Sequence, residues 1–172
     1  VTSRIWSEAS HIEQRLTDLT GHMETVFQTY LRNEFKTIEE YNEYAGEVAE
    51  PYHILVVAGF PANFTEQAGR RLTSIISSGP RCGIYTLMSA DPQVTSPPNF
   101  SLSDVEENAT CLTWSDGQFL FDDEDIAWLP FTAQEPPEPD EFSRIVKRIG
   151  DESKDARRVE VSFDRVAPKE LW

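Results

Sequence analysis

His53-Ile-Leu-Val-Val-Ala-Gly59 and Gly83-Ile-Tyr-Thr-Leu-Met-Ser89 decide the fold. Each is a short continuous apolar run with β-branched residues, and such a run reads as a strand buried on both faces. Between them Phe60-Pro-Ala-Asn-Phe64 is a loop. Thr65 then caps a helix through Ser77, with Ala68, Leu72, Ile75 and Ile76 on one face, and Ser78-Gly79-Pro80 stops it. Strand, helix and strand with short links make a βαβ unit, which predicts parallel strands and a right-handed crossover.

Upstream, Ile5, Ala9, Ile12, Leu16, Leu19, Met23, Val26 and Tyr30 recur in alternating steps of four and three. They line one stripe of a helix from about Thr2 to Asn33, widened by Phe27 and Leu31. The mean repeat of about 3.5 also fits a coiled-coil seam. Gly21, Thr17 and Thr20 weaken that seam and favour a helix packed on its own domain. A second helix is predicted at Thr37–Ala49, where Thr37 and Glu40 have capping-box spacing, and Pro51 ends it.

Downstream, Asp91–Ser101 carries Pro92, Pro97 and Pro98 and reads as a loop. Ala109–Trp114 and Gln118–Phe121 flank Ser115-Asp116-Gly117, a strong hairpin signal. Glu135-Pro-Pro-Glu-Pro-Asp-Glu141 is a proline-stiffened acidic link. A helix follows at Asp140–Ser153 with Phe142, Ile145, Val146 and Ile149 on one face, and Arg158-Val-Glu-Val-Ser-Phe163 alternates like a strand. The expected organisation is one domain: a helical arm over 1–50, an α/β core and hairpin over 51–134, and an acidic linker, helix and terminal strand over 135–172.

The 172 residues hold 15 Lys+Arg and 30 Asp+Glu, a net charge of −15, with 39% hydrophobic residues, the balance of a folded chain with a core. The charge is uneven. Residues 82–143 contain 13 acids and no Lys or Arg, which leaves 17 acidic and 15 basic residues elsewhere. That window argues against direct nucleic-acid contact. No apolar run approaches the ~20 residues needed to cross a bilayer, and no signal segment opens the chain, so the expectation is a cytoplasmic protein that binds no membrane. Cys82 and Cys111 read as buried reduced thiols, with a disulfide between them left open. His11, His22 and His53 are scattered without zinc-ligand spacing, so no metal site is expected.

His22-Met-Glu-Thr-Val-Phe-Gln-Thr-Tyr30, through Thr37-Ile-Glu-Glu-Tyr-Asn42 and Pro51-Tyr52, resembles the segment before the Walker B strand in FtsK/SpoIIIE-type translocase ATPases. There a Met-Glu-Arg-Arg-Tyr helix leads into an Ile-x-x-Tyr-Asn motif and a Pro-Tyr that introduces the strand. Ser78–Asp91 resembles the family's Arg-x-x-Gly-Ile-His strand and the Ala-Thr-Gln-Arg-Pro after it. The similarity covers about residues 22 to 93. It implies an α/β fold, a partial RecA-like (P-loop NTPase-like) core with a parallel βαβ unit, a long N-terminal helix and an appended hairpin.

The departures from the family matter more. Its Walker B Asp-Glu pair, which holds the Mg²⁺ shell and polarises the attacking water, falls on Ala58 and Gly59. Its sensor Gln falls on Asp91, and its Arg-Arg pair on Thr25 and Val26. No G-x-x-x-x-G-K-[ST] occurs, so the phosphate cradle is missing. The resemblance therefore implies a catalytically degenerate module with no cofactor of its own, ATP and Mg²⁺ belonging to the ATPase units of a parent protein. Arg158–Pro168 resembles the linker that introduces a following ATPase module, which favours a degenerate unit over a fragment cut from an active one.

The remaining chemistry is thin. Asp122-Asp-Glu-Asp125 lacks the spacing and glycine of a calcium loop and reads as a solvated turn. Ser78 or Cys82 as nucleophile needs a held His, and only His53 is near, at the opposite strand end. Trp114, Trp128, Trp172, Phe119, Phe121 and Phe131 pack the hairpin or form an exposed platform, with packing favoured. Arg70, Arg71, Arg81 and the Arg144–Arg158 group are left to pair with acidic loops or a neighbouring subunit. The leading expectation is a non-catalytic module that docks on or regulates adjacent ATPase modules of a DNA translocation and segregation motor, with self-association as a further partner mode. The rival is a stand-alone protein-interaction domain using the coiled-coil-like helix and the acidic surface. A third class, a small-molecule enzyme, would bind its ligand at the strand ends near Ala58–Pro61 and Ser89–Asp91.

Overall fold

In the computed structural model the chain runs α1 (Ala9–Thr25), a π-helical turn (Val26–Leu31), α2 (Ile38–Ala45), β1 (His53–Phe60), α3 (Glu66–Ser78), β2 (Ile84–Ala90), α4 (Leu102–Glu106), β3 (Leu112–Ser115), β4 (Gln118–Phe121) and α5 (Pro139–Asp155). The structure describes residues 5–32, 34–123, 125–128, 131 and 135–155. It divides into two units, Arg4–Thr132 and a C-terminal stretch that contains α5. The expected helical arm is therefore part of the α/β unit. The expected strand at Arg158–Phe163 lies outside the described residues.

The parallel pairing expected of a βαβ unit is present. β1 and β2 pair in parallel, His53 opposite Ile84 and Val57 opposite Met88, with α3 between them in sequence. The caps are as the sequence spells them. Thr65 Oγ1 accepts from the Ala68 amide at 3.1 Å, and Thr37 Oγ1 accepts from Glu40 at 3.4 Å. Glu40 returns a carboxylate to the Lys36 amide at 2.7 Å, completing a reciprocal cap.

One face of this sheet carries the core. Val57 and Ile84 are buried with Leu16, Met23 and Val26 from the N-terminal helix and Ala68, Leu72, Ile75 and Ile76 from α3. The stripe that also fitted a coiled-coil seam is thus spent on the chain's own core: Leu16 is 2% exposed, while Ile5 before the helix is 96% exposed. Each fully buried Leu or Ile contributes roughly 1.5–3 kcal/mol.

The other face overturns an expectation. Ile54, Val56 and Leu87 are 61%, 66% and 63% exposed, and Tyr85 joins them on that side. Alternation along each strand sends these residues away from α1 and α3, and the described residues of this unit supply no second layer of helices. The strands are buried on one face, although their sequences suit two.

β3 and β4 form the expected hairpin, closed by Asp116 (φ 51°) and Gly117 (φ 84°), the paired left-handed residues of a type I′ turn. Phe119 and Phe121 pack edge-on against Phe131, and Trp114 lies against Phe119. Packing therefore accounts for Phe119 and Phe121 only, while Trp114 and Phe131 remain exposed and the exposed Trp128 donates its indole N–H to the Asp125 carbonyl. Trp172 lies outside the described residues. By itself, α5 is amphipathic and exposes Phe142, Ile145, Val146 and Ile149.

Candidate functional site

The strand ends are the first candidate. The β1–β2 register breaks between Val57 and Phe60, so Ala58 and Gly59 sit in a bulge. Gly59 has φ 70° and its amide donates to Ser89 Oγ at 2.9 Å. Asp91 lies alongside, its amide donating to the Phe60 carbonyl at 3.1 Å. The fold thus brings Ala58, Gly59 and Asp91 to one end of the sheet, all exposed.

Their chemistry does not fit Mg²⁺ and ATP. Ala58 and Gly59 offer no carboxylate, and the left-handed backbone at Gly59 would strain a Glu placed there. One Asp91 oxygen already accepts from the Gln93 amide at 2.9 Å, and its charge repels phosphate. No step of ATP hydrolysis can be built on these side chains.

The second candidate is one that spacing along the chain does not show. His22 near the end of α1, Glu50 in the link before β1 and His53 at the start of β1 come together, with one ligand atom from each inside 4.8 Å of the others. His22 Nε2 stands 3.6 Å from Glu50 Oε1, and the two imidazole rings are 4.6 Å apart. His22 Nε2 is buried and makes no hydrogen bond.

Glu50 is held from two sides. Asn42 Nδ2 donates to its carbonyl at 2.8 Å, while its amide donates to Asn42 Oδ1 at 2.7 Å, so one α2 side chain clamps the Glu50 backbone. The Glu50 charge, together with a hydrogen bond from the Tyr30 hydroxyl, raises the Tyr30 pKa. The π-helical turn carries Tyr30, whose ring also packs on Tyr41 at 5.1 Å. Asn42 of the Tyr41-Asn42 pair singled out in the sequence thus positions Glu50, a residue that no motif along the chain selects.

The other groups resolve simply. Cys82 and Cys111 are free thiols. Cys82 is buried with its Sγ directed at the Met23 carbonyl, and burial pushes its pKa up to about 11, unsuited to a nucleophile. Asp122 accepts from Thr113 Oγ1 at 2.6 Å and Asp123 from the Asp125 amide at 2.9 Å, which makes that acidic turn a cap on the hairpin. Arg70 pairs with Glu66, whose pKa is lowered by hydrogen bonds from Asn99 and Arg70. Arg81 lies 5.3 Å over the Phe27 ring and Arg144 pairs with Glu141.

Among the described residues no helix is long and apolar enough to cross a membrane. No protein-family model matches the chain, and no curated protein or solved structure matches it.

Proposed function

We propose that this chain is a non-catalytic module of an FtsK/SpoIIIE-like ATPase, a motor that moves DNA or, in secretion relatives, polypeptide. It acts by docking on the P-loop-bearing units beside it. One observation carries the reading: a parallel strand pair ends in Ala58, Gly59 and Asp91, where such an enzyme needs carboxylates and a phosphate sensor, and presents an uncovered apolar face. Parallel strands are ordinarily covered on both faces, so a face of Ile54, Val56, Tyr85 and Leu87 suits a protein partner. The order of motifs over residues 22 to 93 supports the same family, and the RecA-like core belongs to this proposal.

The rival reading, an interaction domain built on a coiled-coil helix, loses its seam to the core and keeps only the acidic window. Two measurements test the proposal. The chain is expected to show no Mg²⁺-dependent ATP turnover. It is also expected to bind a P-loop-bearing FtsK/SpoIIIE-type module in calorimetry, with Leu87→Lys weakening that binding at least about tenfold. Robust turnover, or binding indifferent to Leu87→Lys, overturns it.

A further inference from the structure

We propose that His22, Glu50 and His53 form a zinc site, with the fourth position left to water. The inference is independent of the ATPase reading. Two imidazoles and one carboxylate are a known three-ligand set for Zn²⁺, whereas Mg²⁺ and Ca²⁺ prefer all-oxygen cages. Ligands about 2.0–2.1 Å from a tetrahedral metal stand roughly 3.4 Å from each other. His22 Nε2 and Glu50 Oε1 are already 3.6 Å apart, and the whole set lies within 4.8 Å. Closing the set onto an ion therefore takes side-chain adjustments of about 1 Å, within the reach of imidazole and carboxylate rotation.

The site is also supported from outside, as metal ligands generally are. Asn42 fixes the Glu50 backbone through two hydrogen bonds, and the Tyr30 hydroxyl orients its carboxylate. The three ligands come from the end of α1, the link after α2 and the first residue of β1. A bound ion would tie the N-terminal helix to the entry of the sheet at the point where the chain changes from helix to strand. The ordinary alternative is an ion pair between a protonated His22 and Glu50. It explains the 3.6 Å contact, whereas the zinc reading draws in the His53 imidazole, 4.6 Å from that of His22, as well.

Titration of the intact chain with Zn²⁺ and with Co²⁺ as spectroscopic probe decides between them. Expected are one ion per chain, the intense visible bands of tetrahedral Co²⁺, and a melting temperature raised by Zn²⁺ and returned by chelator. Glu50→Gln keeps the size of the side chain and the Asn42 clamp on the backbone, and should weaken binding more than about 100-fold, as should His22→Gln. Tyr30→Phe, which only orients Glu50, should cost about tenfold. Circular dichroism of each variant verifies that it is folded. Absence of stoichiometric binding, or binding that survives both Glu50→Gln and His22→Gln in folded protein, overturns the site and leaves the ion pair.

Discussion

The inner and outer faces of the β1–β2 sheet are made by alternate residues of the same two strands, yet they live in different solvents. Ile84 and Val57 point inward and are 0% and 8% exposed, whereas Val56, next to Val57 in sequence, and Leu87, opposite Val56 across the ladder, are mostly exposed. Both faces are equally apolar. The difference therefore comes from what packs against them: the inner one receives α1 and α3, with complementary stripes. The face that folds the unit and the exposed face proposed to dock a partner should respond to mutation in opposite ways.

The largest effect is expected on the inner face. Ile84→Ala removes a fully buried side chain under α3 and should cost about 2–5 kcal/mol in denaturant unfolding, with the spread set by how far Leu72 and Ile75 collapse into the space. A loss under 1 kcal/mol would mean that this face is not the core.

Next comes the buried thiol of Cys82, directed at the Met23 carbonyl of α1. The native Cys82 pKa, about 11, lies above its ordinary 9.0, so the folded chain holds the proton more tightly than the unfolded one. Its contribution is complete below pH 9 and is lost as pH rises toward 11, by at most ~1.4 kcal/mol per pH unit. Wild type should thus lose stability over that window faster than Cys82→Ala, measured against the variant's own stability at pH 7. Cys111, less buried and on the hairpin side, should react with an alkylating reagent well before Cys82 does.

A third test probes how the inner cover is fastened. Thr65 caps α3 and also donates to Glu13 on α1 at 3.0 Å, so it joins the two covering helices. Thr65→Ala should cost about 1–2 kcal/mol in the same unfolding assay, and Thr65→Ser should recover most of it.

What the sequence revealed and what it concealed divide along the same line. The Thr37 and Thr65 caps and the Asp116-Gly117 turn follow from residues within a few positions of each other, the β1–β2 pairing from two apolar runs joined by a short helix, and all are present. The short helix α4 lies between the predicted loop and hairpin, and its five residues hold too little periodicity to announce a helix. The π-helical turn was invisible because Val26, Tyr30 and Leu31 suit an α-helical stripe equally well. An apolar run such as His53–Gly59 reads the same whether its second face is covered or bare, so the outer face was mistaken for core. His22, Glu50 and His53 are contributed by separate elements, and a residue count between them carries no trace of the juxtaposition.

The smallest expected effect on stability carries the most information about the outer face. Leu87→Lys replaces a strand residue that is 63% exposed, so unfolding should change by no more than ~0.5 kcal/mol. The substitution nevertheless puts a charge in the middle of a patch formed by Ile54, Val56 and Tyr85. Burying that charge against a partner is costly unless the partner pairs it, so association should fall steeply while the fold is untouched. If Leu87→Lys instead cost as much as Ile84→Ala, the outer residue would be a structural support and the contrast between the two faces would collapse. Unfolding and binding measured on one variant therefore separate a docking surface from a second core.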